Sequence, residues 1–214
     1  MTELLPSLPS LLAFIAAGLA LNLTPGPDML YCAARGAAGG RRAGIVSALG
    51  IGAGSLVHTA FAALGLAALL MASSLAYEAI RWGGAAYLLW IAWQTWRQGD
   101  LAPNARDVAP AGLWRVFAQG ALINVLNPKV ALFFLAFLPQ FVDPAGGNVA
   151  LKLIVLGMIF NFNGTIINAL VGALAGTAGQ FLARNAGWWR WQNRVTAGIL
   201  AALAARLALA PARS

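Results

Sequence analysis

The sequence predicts an all-α integral membrane protein with six transmembrane helices. They form two inverted three-helix repeats, with helices one and four broken at proline-containing motifs. Three observations lead there. Of the 214 residues, 60% are hydrophobic and 9% charged, whereas a soluble domain carries about 25% charged residues. The charges mark the ends of long charge-free stretches. Landmarks of the first half return in the second at nearly constant spacing.

A mean hydropathy of +0.75 makes lipid the solvent for most of the surface and excludes a disordered chain, which requires low hydrophobicity. Spans follow from the charge-free stretches, since a crossing takes about 20 apolar residues. Helix one, about 9–34, lies mostly between Glu3 and Asp28. Helix two, about 43–71, lies between Arg42 and Glu78. Helix three, about 76–97, has its core between Arg81 and Arg97. Helix four, about 113–141, lies between Arg115 and Asp143 and is interrupted by Lys129. Helix five, about 149–183, lies between Lys152 and Arg184. Helix six, about 190–210, has the shortest charge-free core and contains Arg206. The runs are long and rich in Ala and Leu, without the alternation of a membrane barrel. Glu3 stands where a signal peptide would be basic, so the first stretch reads as a retained span.

The net charge of +8 reflects orientation, not nucleic acid binding. Arg35, Arg41, Arg42, Arg97, Arg106, Arg115, Arg184, Arg190 and Arg194 follow or flank the loops after helices one, three and five. Arg81, Lys152 and Arg213 lie on the other side. The first group is therefore placed in the cytoplasm of a bacterial inner membrane, with both termini periplasmic. Trp96, Trp114, Trp188, Trp189 and Trp191 cluster beside the same loops, as an interfacial belt does. Residues 98–112, with Pro103 and Pro110, form a cytoplasmic linker between repeat one (about 9–97) and repeat two (about 113–210) of a single transmembrane domain.

The repeat rests on three ordered matches. Thr24-Pro25 pairs with Asn127-Pro128 at an offset of 103, Leu49-Gly50 with Leu156-Gly157 at 107, and Arg81-Trp82 with Arg190-Trp191 at 109. Three helices per half invert the second half, the plan of secondary transporters, whose sites lie on broken helices near the midplane.

Those breaks hold the candidate site. Asn22, Thr24, Pro25, Gly26, Pro27 and Asp28 form the first. Each proline lacks an N–H and clashes with the carbonyl four residues back. Gly26 is expected to supply unusual dihedrals between them. Freed backbone groups in lipid must be satisfied or line a polar path. Asn124, Asn127, Pro128 and Lys129 form the second break. Asn127 is expected to cap the following helix, with Pro128 at its first position. Lys129 lies about 21 Å along the axis from Arg115, deep enough to need a partner or a wet cavity.

Asp28 is the expected partner of Lys129, either as a static ion pair or as a two-ended site. In the second case Asp28 meets a proton or a substrate ammonium, while Lys129 and half-helix N-termini meet a carboxylate. His58 fits a proton relay or a packing role equally. Asn161 and Asn163 are secondary candidates, since Asn161, Asn163 and Asn168 cannot all share one helix face. Gly50/Gly54 and Gly172/Gly176 have the spacing of close helix contacts, expected within one chain. Cys32 is alone and expected to pack. With one histidine and one cysteine, no metal site or cofactor is expected.

At these residues the chain resembles the lysine-exporter (LysE/RhtB) family of bacterial amino-acid efflux transporters. The resemblance runs through Asn22–Asp28, Gly39–Gly44, Leu49-Gly50 to His58, Gly84–Trp90, Asn124–Lys129 and Phe137–Phe141. It implies export of amino acids or derivatives such as threonine, homoserine or homoserine lactones, by proton antiport. The implied partners are a small amino-acid-like substrate, protons and the lipid bilayer, with a homo-oligomer left open. The alternative is a cation or metal-ion exporter of the same broad architecture. Asp28 as the one acid inside a span makes a poorer cation site. An intramembrane enzyme lacks its nucleophile-and-base or metal-pair motifs.

Overall fold

A computed structural model of the chain describes residues 4–68, 74–97, 109, 111–143, 146–175 and 186–209. Most of the expected linker, with Arg106, Arg184, Gly176 and Arg213, lies outside them, as do the side chains of Trp188, Trp189 and Arg206. Every regular element among the described residues is helical. They are α1 (Leu8–Leu23), α2 (Pro27–Phe61), α3 (Ser74–Arg97), α4 (Leu113–Val125), α5 (Pro128–Leu132), α6 (Val149–Ala175) and α7 (Ala186–Ala208). A π-helical turn, Ala62–Leu66, prolongs α2. A π turn at Phe133–Phe137 and a 3₁₀ turn at Leu138–Phe141 prolong α5.

The expected first helix, 9–34, is two elements. α1 stops at Leu23 because Pro25 has no N–H to donate back to the carbonyl of Leu21. α2 starts afresh at Pro27, where a missing N–H costs nothing. The loop expected between helices one and two is also absent. The chain stays helical on both sides of Gly40, whose φ of 75° and ψ of −177° place the whole change of direction in one residue. Only glycine enters that region readily. Helix four breaks as expected: α4 and the segment from Pro128 to Phe141 are bent by 46°.

Among the described residues, two helices, Pro27–Leu66 and Val149–Ala175, are long and apolar enough to cross a membrane, and the bent pair supplies a third span if taken as one. Leu8–Leu23 and Asn193–Ala205 are apolar but shorter. α1 has 16 residues, or about 24 Å of helix against the roughly 30 Å of a bilayer core.

An aromatic cluster fills the centre. Phe133 stacks on Phe160 at 4.5 Å between centroids, and Phe14 meets Phe141 edge-on at 5.2 Å. Around them Leu138, Leu153 and Leu156 are fully buried. Outward, Phe61, Leu64, Trp114, Phe162 and Leu209 are exposed, as lipid contact requires.

Glycines set the helix separations. A Cβ on Gly50 would strike the backbone of Phe117, one on Gly54 the backbone of Ala121, and one on Gly120 the backbone of Ser47. These contacts pack α2 against α4. Gly36 and Gly44, on either side of the Gly40 kink, both lie against Gly172 of α6. The small-residue contacts at Gly50, Gly54 and Gly172 thus fall within one chain, as expected. Cys32 packs with Ala48 and Ile51.

Gly40 tests the kink apart from packing, because nothing lies within 4 Å of a Cβ built there. Gly40→Ala is expected to destabilise the fold by about 1–3 kcal/mol through backbone strain alone. A lowered thermal midpoint of the detergent-purified protein checks this.

Candidate functional site

The site begins with what the prolines leave unmade. Past Leu23, Thr24 closes α1 by donating its N–H to Ala20 (3.0 Å) and Leu21 (3.2 Å), and its hydroxyl to Ala20 (2.8 Å). The carbonyl of Thr24 has no helical donor ahead of it, since Gly26 is extended and α2 begins beyond. Lys129 fills the gap. Its Nζ donates to the Leu21 carbonyl at 3.0 Å and the Thr24 carbonyl at 2.8 Å. The ammonium from one break therefore satisfies the carbonyls of the other.

Both flanking residues serve this arrangement. Asn127 caps α5 as expected: its Oδ1 accepts the backbone N–H of Lys129 at 3.0 Å. Gly26 has a different role from the one expected. Its φ of −165° and ψ of 179° are open to any residue. A Cβ there would sit 3.0 Å from Lys129 Nζ and 3.4 Å from its Cε, so glycine leaves room for the ammonium.

Asp28 and Lys129 do not form an ion pair; Asp28 is held by Asn124, whose Nδ2 donates to Oδ2 at 2.8 Å. Asp28 is 7% exposed and Asn124 2%. Asp28 Oδ1, Asn124 Oδ1 and Asn127 Nδ2 are buried without a hydrogen-bond partner. Buried polar atoms are ordinarily paired, so these open valences ask for a ligand.

His58 joins the same group. Its Nε2 lies 3.0 Å from the Asn124 carbonyl. A carbonyl only accepts, so Nε2 carries the hydrogen in this contact. The ring also packs against Phe134 at 5.8 Å. The structure thus brings Thr24, Pro25, Gly26, Pro27, Asp28, Asn124, Asn127, Pro128, Lys129 and His58 together.

The other candidates are placed elsewhere. Asn22 packs on Gly164 of α6, with Nδ2 buried and unpartnered. Asn161 accepts from Thr165 Oγ1 at 3.2 Å, and both pack on Gly52, a contact between α6 and α2. Asn163 is half-buried on α6 and takes no part in these bonds. Sequence reasoning missed Ser55, which is buried with an unpartnered Oγ. The signal was its position three residues before His58 on an apolar helix. It also missed Arg35, which donates to Gln119 Oε1 (2.7 Å) and the Ala109 carbonyl (2.9 Å) and lies over the Tyr31 ring. Among the described residues, no three His, Cys, Asp or Glu side chains gather as metal ligands would.

LysE type translocators match the chain over residues 19–210. The chain belongs to that family. Among its relatives is an uncharacterized membrane protein of Vibrio cholerae serotype O1, 31% identical over 80% of this chain and 83% of that one. A homoserine/homoserine lactone efflux protein of Salmonella typhimurium is 30% identical over 66% of this chain and 69% of its own. A leucine efflux protein of Enterobacter sp. is 26% identical over 67% and 68%. No solved structure matches. This LysE type translocator is thus a membrane protein with efflux proteins among its relatives.

The lysine bridge makes a stability prediction. Lys129→Met leaves the Thr24 carbonyl without a donor, at a cost of about 1–3 kcal/mol, and the Leu21 carbonyl with only the Thr24 N–H. Asn127→Ala removes a cap worth about 1 kcal/mol. Lys129→Met is therefore expected to lower the thermal midpoint further than Asn127→Ala, as measured in detergent by intrinsic tryptophan fluorescence.

Proposed function

We propose that this protein exports small amino-acid-like solutes, amino acids or derivatives of them, from the bacterial cytoplasm across the inner membrane in exchange for protons. The observation that carries the reading is the meeting of both helix breaks around Asp28. This buried carboxylate has one oxygen on Asn124 and the other open. Family membership and the activities for which the efflux relatives are named support the same reading.

A single carboxylate that holds either a proton or an ammonium produces exchange. Bound on one side, the solute displaces the proton; on the other, the proton displaces the solute. Each occupant biases the two access states by its differential contacts. His58, held on the Asn124 carbonyl, is the proton relay in this reading.

Six spans in two inverted repeats remain the architecture best suited to this. α1 leans on α6 through Gly18 against Phe160 and Asn22 against Gly164, while α4 leans on α2 through Phe117 against Gly50 and Ala121 against Gly54. Each short helix before a break thus rests on the long helix of the other half. Positive-φ glycines turn the chain at Gly40 and Gly147, the same 107-residue offset as Leu49-Gly50 and Leu156-Gly157. Gly26 and Lys129 are themselves equivalent at the 103-residue offset, and they touch. That is what a pseudo-two-fold axis through the breaks requires. Rocking one repeat against the other around this point provides alternating access.

Two measurements test the reading. Asp28→Asn is expected to abolish pH-gradient-driven uptake into everted membrane vesicles, with membrane protein levels unchanged; undiminished uptake overturns the coupling role. A C-terminal reporter active only outside the cytoplasm is expected to be active, and a cytoplasmic C-terminus refutes the six-span orientation.

A further inference from the structure

We infer that the break site reads the ammonium group of its solute and makes no demand for a carboxylate, so that amides, esters, lactones and simple primary amines are accepted beside free amino acids. The inference rests on the exporter reading and assigns its substrate class.

The open acceptors are Asp28 Oδ1 and Asn124 Oδ1, on two side chains already bonded to each other at 2.8 Å. Ser55 Oγ is open as well, on the residue following Gly54, which packs against Asn124. One formal negative charge with neighbouring neutral oxygens suits a primary ammonium, which offers one positive charge and three N–H donors.

Among the described residues, no comparable anion site accompanies it. Lys129 spends its ammonium on the Leu21 and Thr24 carbonyls, with Gly26 against the same nitrogen. Turning it to a solute carboxylate would leave the Thr24 carbonyl without a donor in an apolar setting and the Leu21 carbonyl with only the Thr24 N–H. Among the described residues, the other basic side chains that are not exposed are committed elsewhere. Arg35 donates to Gln119 and Ala109, Arg81 pairs with Glu78 at 2.9 Å, and Lys152 donates to the Asp143 carbonyl. Asn22 Nδ2 and Asn127 Nδ2 are open neutral amides, and Arg35 Nε, also open, belongs to the guanidinium already held by Gln119 and Ala109. A neutral amide N–H donates to a carbonyl oxygen whether that oxygen belongs to an acid, an amide or a lactone. It does not repay the desolvation of a carboxylate charge. The two-ended site expected from the sequence therefore has one charged end.

The test is calorimetric titration of the full chain in detergent with two ligand series. One is L-leucine, L-leucinamide, 3-methylbutylamine and N-acetyl-L-leucinamide; the other is L-homoserine, L-homoserine lactone and N-acetyl-L-homoserine lactone. In the series that binds, the amide or lactone is expected to match its parent acid within about threefold or bind tighter, and the acetylated member to bind at least about tenfold weaker. Asp28→Asn is expected to bring free and acetylated members together. An amide or lactone at least about tenfold weaker than its acid shows that a carboxylate is read and overturns the inference while leaving the exporter. Equal binding of free and acetylated members overturns the ammonium assignment. Binding by neither series overturns the exporter reading and this inference with it. Because the ligand series decides on the unmodified protein, the result stands even if the variant fails to fold.

Discussion

A helix broken inside a membrane must have its carbonyls satisfied by the protein itself, and here the Lys129 ammonium does it. The Leu21 and Thr24 carbonyls lose their helical donors at Pro25 and at the extended Gly26, and Nζ reaches both at 3.0 and 2.8 Å. The rest of the centre follows from that bond. Gly26 has no side chain because the ammonium lies where a Cβ would crowd it. Asn127 fixes the backbone from which the lysine extends. Asp28, released from pairing with the lysine, takes Asn124 instead and keeps one oxygen open.

This bond requires the two halves of the chain to approach closely, and glycine permits it. Gly50, Gly54 and Gly120 bring α2 and α4 to backbone contact, and Gly36, Gly44 and Gly172 do the same for α2 and α6. Those approaches carry Asn124 to Asp28 and His58 to the Asn124 carbonyl. The small residues of the helix faces and the polar residues of the breaks are thus one arrangement. Packing sets the distance, and the breaks supply groups that need partners at that distance.

Fixed charges in such a centre cannot all be free for a solute. The lysine is occupied in holding the break together, which leaves the carboxylate as the group with spare capacity. In the exchange proposed above, that carboxylate would take protons and ammonium groups at one atom pair, without a second charged subsite.

The sequence by itself determined the all-helical class and the two breaks. Scarcity of charge, long apolar runs and the chemistry of proline act locally and need no neighbour to be read. Asn127 as a cap was legible for the same reason, because its partner is two residues away. The resemblance to an exporter family was carried by such local motifs too. Tertiary structure alone decided who pairs with whom. The sequence offered Asp28 to Lys129 by charge, but the carbonyls freed by Pro25 compete for the same ammonium, and backbone acceptors do not show in residue types. It offered Gly26 as the source of unusual dihedrals, whereas its backbone is ordinary and its lack of a side chain matters. It placed a loop before Arg42 where Gly40 turns the chain alone. In each case the deciding group was a backbone atom or an empty volume, and neither exists until the chain is folded.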